Sequence, residues 1–252
     1  MVAGGDGTIN EVVDGMMHSS VPLAILPGGT ANVLATELKL SRGLEHTARR
    51  LAEFRPQRIS VGRLTCAGGV DRHFLLMAGI GLDAYIVYHI SGPLKARIGK
   101  LAYWVAGWSL LGRRLTELRV EIDGCERRCS FALLSKVRNY GGDFEIARTV
   151  TLFDDCFEVA LFEGRNTLRY VKYFAGVVSN RLHGMRGVTV LHTDRAIFTA
   201  PPGSPVYVQV DGESAGRLPA KICIVPDSLT LLVPPEYART AGGRPLAQPN
   251  HA

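Results

Sequence analysis

The chain has 252 residues, 46% of them hydrophobic, and a net charge of +6. That length supports one large or two ordinary domains around a real core, and the apolar content excludes disorder as the default state. The positive balance suits an anionic substrate, a nucleotide, nucleic acid or an acidic membrane surface, but on charge alone an ordinary solvated basic surface is the favoured reading.

The first element is a glycine-rich turn, "GGDGT" at Gly4 to Thr8, preceded only by Met1, Val2 and Ala3. Beyond it Ile9, Val12, Val13, Met16 and Met17 recur at helical spacing, which predicts a helix from Thr8 to about Met17. Thr8 and Glu11 read as a capping box at its start. After Pro22, "LAIL" at Leu23 to Leu26 reads as a buried strand, broken by "PGGT" at Pro27 to Thr30. Thr30 can cap a second helix reaching about Leu38, and a third is expected from Leu44 to Phe54, with Arg49 and Arg50 at its C-terminal end. Turn, helix, strand, turn, helix is an α/β layout.

Arg55-Pro56 marks a change to a strand-rich pattern. Strands are expected at 58–66, 73–78, 118–122, 130–138, 157–162, 188–191, 196–200, 206–210, 221–225 and 229–233, with helices at 94–112 and 167–180. "AGG" at 67–69 and Asp123-Gly124 are turn signals. The apolar stretch "LAYWVAGWSLLG", Leu101 to Gly112, is shorter than the ~20 residues needed to cross a bilayer. With its basic flanks it reads as a membrane-touching amphipathic helix or, more simply, as a core or cleft-lining one. The tail after Pro235, rich in Gly, Pro and Ala, is expected to be loose. The five cysteines, an odd number, argue for free thiols in a reducing cytoplasm, and no signal peptide is expected.

In "GGDGT" the glycines let backbone amides approach an anion, and the helix behind them adds a partial positive charge. Taken alone, this is also an ordinary strand-to-helix turn. "GGTAN" at Gly28 to Asn32 repeats the design one β-unit later, so two anion-binding edges would share one rim of a sheet. Neither the Walker loop nor the dinucleotide fingerprint is present. Asp6 inside the loop calls for a reason, such as Mg2+ or a proton-transfer role beside phosphates.

"GGDGTINEVVDGM" and "PLAILPGGTANVLATEL" resemble the nucleotide-binding core of the bacterial diacylglycerol kinase and lipid kinase family, relatives of sphingosine kinases and, more distantly, NAD kinases. "NYGGDFEIARTVTLFDDCFEVALF" at 139–162, "VQVDGESAG" at 208–216 and "ICIVPDSLTLLVP" at 222–234 are similar to later segments of that family. The resemblance implies an α/β nucleotide-binding domain, here residues 1–56 and truncated, followed by a β-rich sandwich-like domain at 57–221 that takes the lipid. It further implies final strands at about 222–235 that return to the first domain, and a loose tail at 236–252. Family members carry at least one more βα unit ahead of the first turn, ~30 residues by unit size, so an N-terminally shortened copy is expected.

The implied activity is ATP-dependent phosphorylation of diacylglycerol or a related lipid alcohol. Glu213 is implied as the general base, with a polar hairpin turn as the local alternative for "DGES". Gly4, Gly5, Asp6, Gly7, Thr8, Ile9 and Asn10 would bind the nucleotide, mainly through amides, and Thr30 would contact its phosphates. Asp155, with the carbonyls of Leu152 and Phe157, is implied as a structural Mg2+ site, although Cys156 stands where the family has glycine; the plain alternative is a hairpin turn. The implied cofactors are ATP and Mg2+. The implied setting is cytoplasmic with peripheral membrane contact and no nucleic acid, and a homodimer is left open. A catalytically silent nucleotide- or lipid-binding fragment and, less favoured, an NAD kinase are the alternatives.

Overall fold

The computed structural model describes residues 1–40, 43–89, 114–140, 145–166, 168–179 and 181–242. The chain opens with β1 (Val2–Gly4), α1 (Asp6–Gly15), β2 (Ile25–Pro27), α2 (Val33–Glu37) and α3 (Leu44–Arg50). β1 and β2 pair in parallel with Gly4 opposite Pro27, so both glycine turns leave the same edge. The first helix starts two residues earlier than its apolar pattern predicts. Gly5 is its N-cap and no side chain caps it, so the Thr8–Glu11 capping box does not form.

Next come β3 (Arg55–Cys66), β4 (Val70–Phe74), β5 (Met77–Gly81), α4 (Leu82–His89), β6 (Leu118–Ile122), β7 (Cys125–Cys129), β8 (Phe131–Ser135) and β9 (Phe157–Phe162). They are followed by α5 (Leu168–Val178), β10 (Val188–Thr193), β11 (Arg195–Thr199), β12 (Tyr207–Val210), β13 (Glu213–Arg217), β14 (Ala220–Val233) and α6 (Pro235–Ala241). These strands make two six-stranded sheets, ordered β4-β3-β14-β11-β6-β7 and β10-β9-β8-β5-β12-β13. In β6 Leu118, Val120 and Ile122 are buried while Arg119 and Glu121 are exposed, the period-two alternation of a strand with one face on a core. Leu64, Phe74, Ile80, Leu134, Phe157, Phe198 and Ile222 fill the space between the sheets, giving a β-sandwich.

A second core lies outside the sandwich. It joins Ile9, Val13, Ile25 and Leu34 of the first unit to Ile59 of β3 and to Leu229, Leu231 and Val233 of β14. The segments expected at 221–225 and 229–233 form the single strand β14, which changes register between Val225 and Leu229. Its second half reaches the glycine-turn unit: Leu23 N–H donates to the Thr230 carbonyl and Leu232 N–H to the Leu23 carbonyl, both at 2.8 Å. The strand expected at 73–78 is in fact two, because the chain passes from one sheet to the other at Leu75-Leu76. β7 and β13 were not foreseen.

The expectation of a loose tail is corrected for its first residues. Pro235–Ala241 is a helix, and Tyr237 on it is 4% exposed. The Tyr237 hydroxyl donates to buried Glu37 at 3.0 Å and accepts the Leu152 amide at 3.2 Å. Arg50 holds Glu236 through both carboxylate oxygens at 2.7 and 3.0 Å. Burial pushes the Glu37 carboxyl above its usual range against the pull of Tyr237, Arg138 and Asn139. Tyr237→Phe leaves a buried amide and a buried carboxylate each short of a partner, an expected cost of about 1–3 kcal/mol. Thermal unfolding should show a fall of about 2–4 °C per kcal/mol; an unchanged Tm would mean that the helix is not latched through this hydroxyl. Among the described residues no helix is long and apolar enough to cross a membrane. The stretch Leu101 to Gly112, with Tyr103, Trp104 and Trp108, lies outside the described residues.

Candidate active site

The two glycine turns pack backbone against backbone. The Gly28 N–H donates to the Gly4 carbonyl at 3.0 Å, and a methyl group on Gly29 would come within 2.4 Å of the Gly5 Cα. Glycine is required here by contact between two loops as well as by access for an anion. Gly29→Ala must part the loops, which overpacking of this kind prices at about 1–3 kcal/mol. Gly15→Ala at the end of α1 meets nothing within 4 Å and serves as the control. In thermal unfolding Gly29→Ala should lose several degrees and Gly15→Ala none; equal Tm values would show that the loops part freely.

Asp6 finds its reason in this packing. Its carboxylate accepts the amides of Val33 at 3.1 Å and Leu34 at 3.2 Å, capping α2 from the other loop. Asn32, in the left-handed region at φ 47°, clamps Gly29 from both sides, accepting its N–H at 2.8 Å and donating to its carbonyl at 2.7 Å. Thr30, expected as the cap of the second helix, is exposed, one residue past the Gly29–Gly5 contact, and α2 starts only at Val33.

In α1 the first intrahelical bond runs from Ile9 N–H to the Gly5 carbonyl at 3.0 Å. The amides of Gly5, Asp6, Gly7 and Thr8 therefore lie ahead of the helix's own hydrogen bonding, at its positive end. Ile9 and Asn10, also expected to contact the nucleotide, lie one step further along the helix. Both side chains are 2% exposed, the Ile9 amide is committed inside the helix, and the Asn10 Oδ1 is buried without a partner among the described residues.

Glu213 sits against this helix start. A methyl on Gly7 would come within 2.7 Å of its Oε1, and its Oε2 accepts from the Arg72 guanidinium at 3.1 Å. The glutamate is placed there by a hairpin. Val210 pairs with Glu213 across Asp211-Gly212, whose φ values of 48° and 82° fit a type I′ turn. The hairpin turn read from "DGES" is present, and it carries Glu213 to the start of α1. Asp211 locks the turn in place by accepting the amides of Leu75, Leu76 and Met77, each at 2.9 Å, which is where the chain crosses between the sheets. Burial pushes the Asp211 carboxyl up to about 6, against those amides, so it is an anion at neutral pH. Sequence reasoning missed Arg72, Asn32 and the role of Asp211; only the last carried a signal, the Asp-Gly pair.

Leu152, Asp155 and Phe157 lie elsewhere, at the turn leading into β9; Leu152 and Phe157 are buried and Asp155 is exposed. The Asp154 carboxylate closes the turn on the Thr151 amide and hydroxyl at 2.7 and 2.8 Å. Behind the turn Lys136 is fully buried, its ammonium donating to the Asp154 carbonyl and to Ser60 Oγ, both at 2.6 Å. Burial pushes Lys136 down to about 8 while the charges of Asp155 and Asp154 hold it up, so it is a cation at neutral pH. A buried ammonium bonded to the turn repels a divalent cation bound to the same turn. The donor set at this turn does not fit the expected Mg2+.

Comparison with known proteins agrees with this architecture. Residues 1–64 match the diacylglycerol kinase catalytic domain, and residues 77–233 match the YegS C-terminal NAD kinase beta sandwich-like domain. A curated diacylglycerol kinase of Bacillus subtilis is 25% identical over 94% of this chain and 78% of its own length. One of Mycobacterium tuberculosis is 26% identical over 93% and 76%. The crystal structure of a diacylglycerol kinase from Bacillus anthracis superposes with a TM-score of 0.73 at 20% identity, covering 93% of this chain and 77% of the other.

Proposed function

The chain belongs to the bacterial diacylglycerol kinase and lipid kinase family, and on that footing we propose that it transfers the γ-phosphoryl group of MgATP to the hydroxyl of diacylglycerol or a related lipid alcohol. The observation that carries this reading is the contact of Glu213 with Gly7, which brings a carboxylate to the amide-lined start of α1 from a strand of the other layer. The phosphates of MgATP lie along the amides of Gly5 to Thr8, where the helix N-terminus favours negative charge. The lipid hydroxyl attacks Pγ, the bond from Pγ to the bridging oxygen breaks, ADP leaves, and Glu213 takes the hydroxyl proton. Arg72 acts as a positioning residue that holds the carboxylate toward the helix start. Peripheral contact with a membrane surface follows from the substrate, whose acyl chains reside there.

The test is the full chain with γ-labelled MgATP and a panel of lipid alcohols in mixed vesicles, with NAD as a parallel acceptor. Label is expected in an organic-soluble phospholipid. A chain that binds nucleotide yet labels no lipid alcohol, or labels only NAD, contradicts the proposal.

A further inference from the structure

Lys136 is fully buried and takes no part in the site described above, and a buried ammonium demands an explanation because desolvating it is costly. It follows β8, and its own amide donates to the Leu76 carbonyl at 2.8 Å, at the crossing between sheets. Its Nζ reaches Ser60 Oγ on β3 and the Asp154 carbonyl, and Ser60 Oγ in turn donates to that same carbonyl at 2.9 Å. Three points therefore converge on one positive charge: a strand of the first sheet, the end of a strand of the second, and the turn from Thr151 to Cys156. The negative charges that face it, Asp155 and Asp154, belong to that turn. Oxygen acceptors and nearby carboxylates around a central cation are the surroundings of a hard metal ion. Here the cation is a side chain.

We propose that the Lys136 ammonium is a built-in replacement for a divalent cation at the turn before β9, so that this turn is closed and pinned to β3 without metal. The protonated amine supplies the charge that balances Asp154 and Asp155. Its N–H donors reach the Asp154 carbonyl and the Ser60 hydroxyl, which ties the turn to β3 without a bridging ion. Because the charge is covalently tethered, closure of the turn is independent of divalent-ion concentration. Cys156 next to Asp155 is consistent with this arrangement, since the turn folds around an ammonium and has no need to wrap a coordination sphere.

The test is thermal unfolding of the nucleotide-free full chain in excess EDTA and in millimolar Mg2+, alongside Lys136→Met, which keeps length and removes charge. The expected result is one Tm for the parent chain in both conditions and a drop of roughly 6 °C or more for Lys136→Met. A parent Tm that falls with EDTA and returns with Mg2+ overturns the proposal, as does a Lys136→Met Tm equal to that of the parent. If Lys136→Met does not fold, Ser60→Ala removes one acceptor of the ammonium and should lower Tm by less, still with no response to EDTA; a metal response in that variant also overturns the proposal. Neither readout involves catalysis, so the outcome stands apart from the kinase reading.

Discussion

Glu213→Gln lowers phosphoryl transfer to diacylglycerol by about 10²–10⁴-fold, the usual contribution of a positioned general base. Glutamine has nearly the same shape, and its side-chain oxygen still accepts from Arg72, so the hairpin and the contact at Gly7 persist. What is lost is the ability to take a proton. The substitution should therefore leave MgATP affinity and Tm at parental values while turnover collapses. That split matters, because loss of both affinity and rate would point to a collapsed loop and not to a missing base. Near-parental turnover in Glu213→Gln would remove this residue from the mechanism.

Asp211→Ala should be the most damaging substitution for stability. Its carboxylate is the shared acceptor for three consecutive amides at the crossing between the sheets. Alanine leaves those donors buried without partners, at about 1–3 kcal/mol for the first and less than additively thereafter. A total near 3–4 kcal/mol corresponds to a Tm fall of roughly 10 °C. Asp211→Asn should be intermediate: its oxygen can keep the Leu76 and Met77 amides, but its NH₂ then faces the Leu75 N–H, donor against donor. Activity in both variants should fall with the loss of the hairpin that carries Glu213. A Tm within about 1 °C of the parent for Asp211→Ala would show that the crossing holds without it.

The hairpins at Asp123-Gly124 and Asp211-Gly212 were readable because an Asp-Gly pair encodes its own turn geometry. The strands Leu118–Ile122 and Phe157–Phe162 were readable to the residue, one by strict alternation and the other as a short apolar run buried on both faces. The helix start was misjudged because Thr8 and Glu11 satisfy a capping pattern that the glycine turn makes unnecessary; the chain enters the helix directly from Gly5. What remained hidden depends on partners distant in sequence. Asp6 caps a helix 27 residues away, and Lys136 meets a serine 76 residues away. No local pattern marks a lysine as buried, since the residue type is almost always exposed. The corner at Leu75-Leu76 was read through as strand because its amides are satisfied by Asp211, more than a hundred residues downstream, and not by a turn of their own.

The most direct measurement is a crystal structure of the full chain with a non-hydrolysable ATP analogue and Mg2+. The account predicts the terminal phosphate on the amides of Gly5 to Thr8, with the Glu213 carboxylate facing it across the space a lipid hydroxyl would enter. Nucleotide bound away from that helix start, or phosphates there with Glu213 turned out of reach, would contradict it.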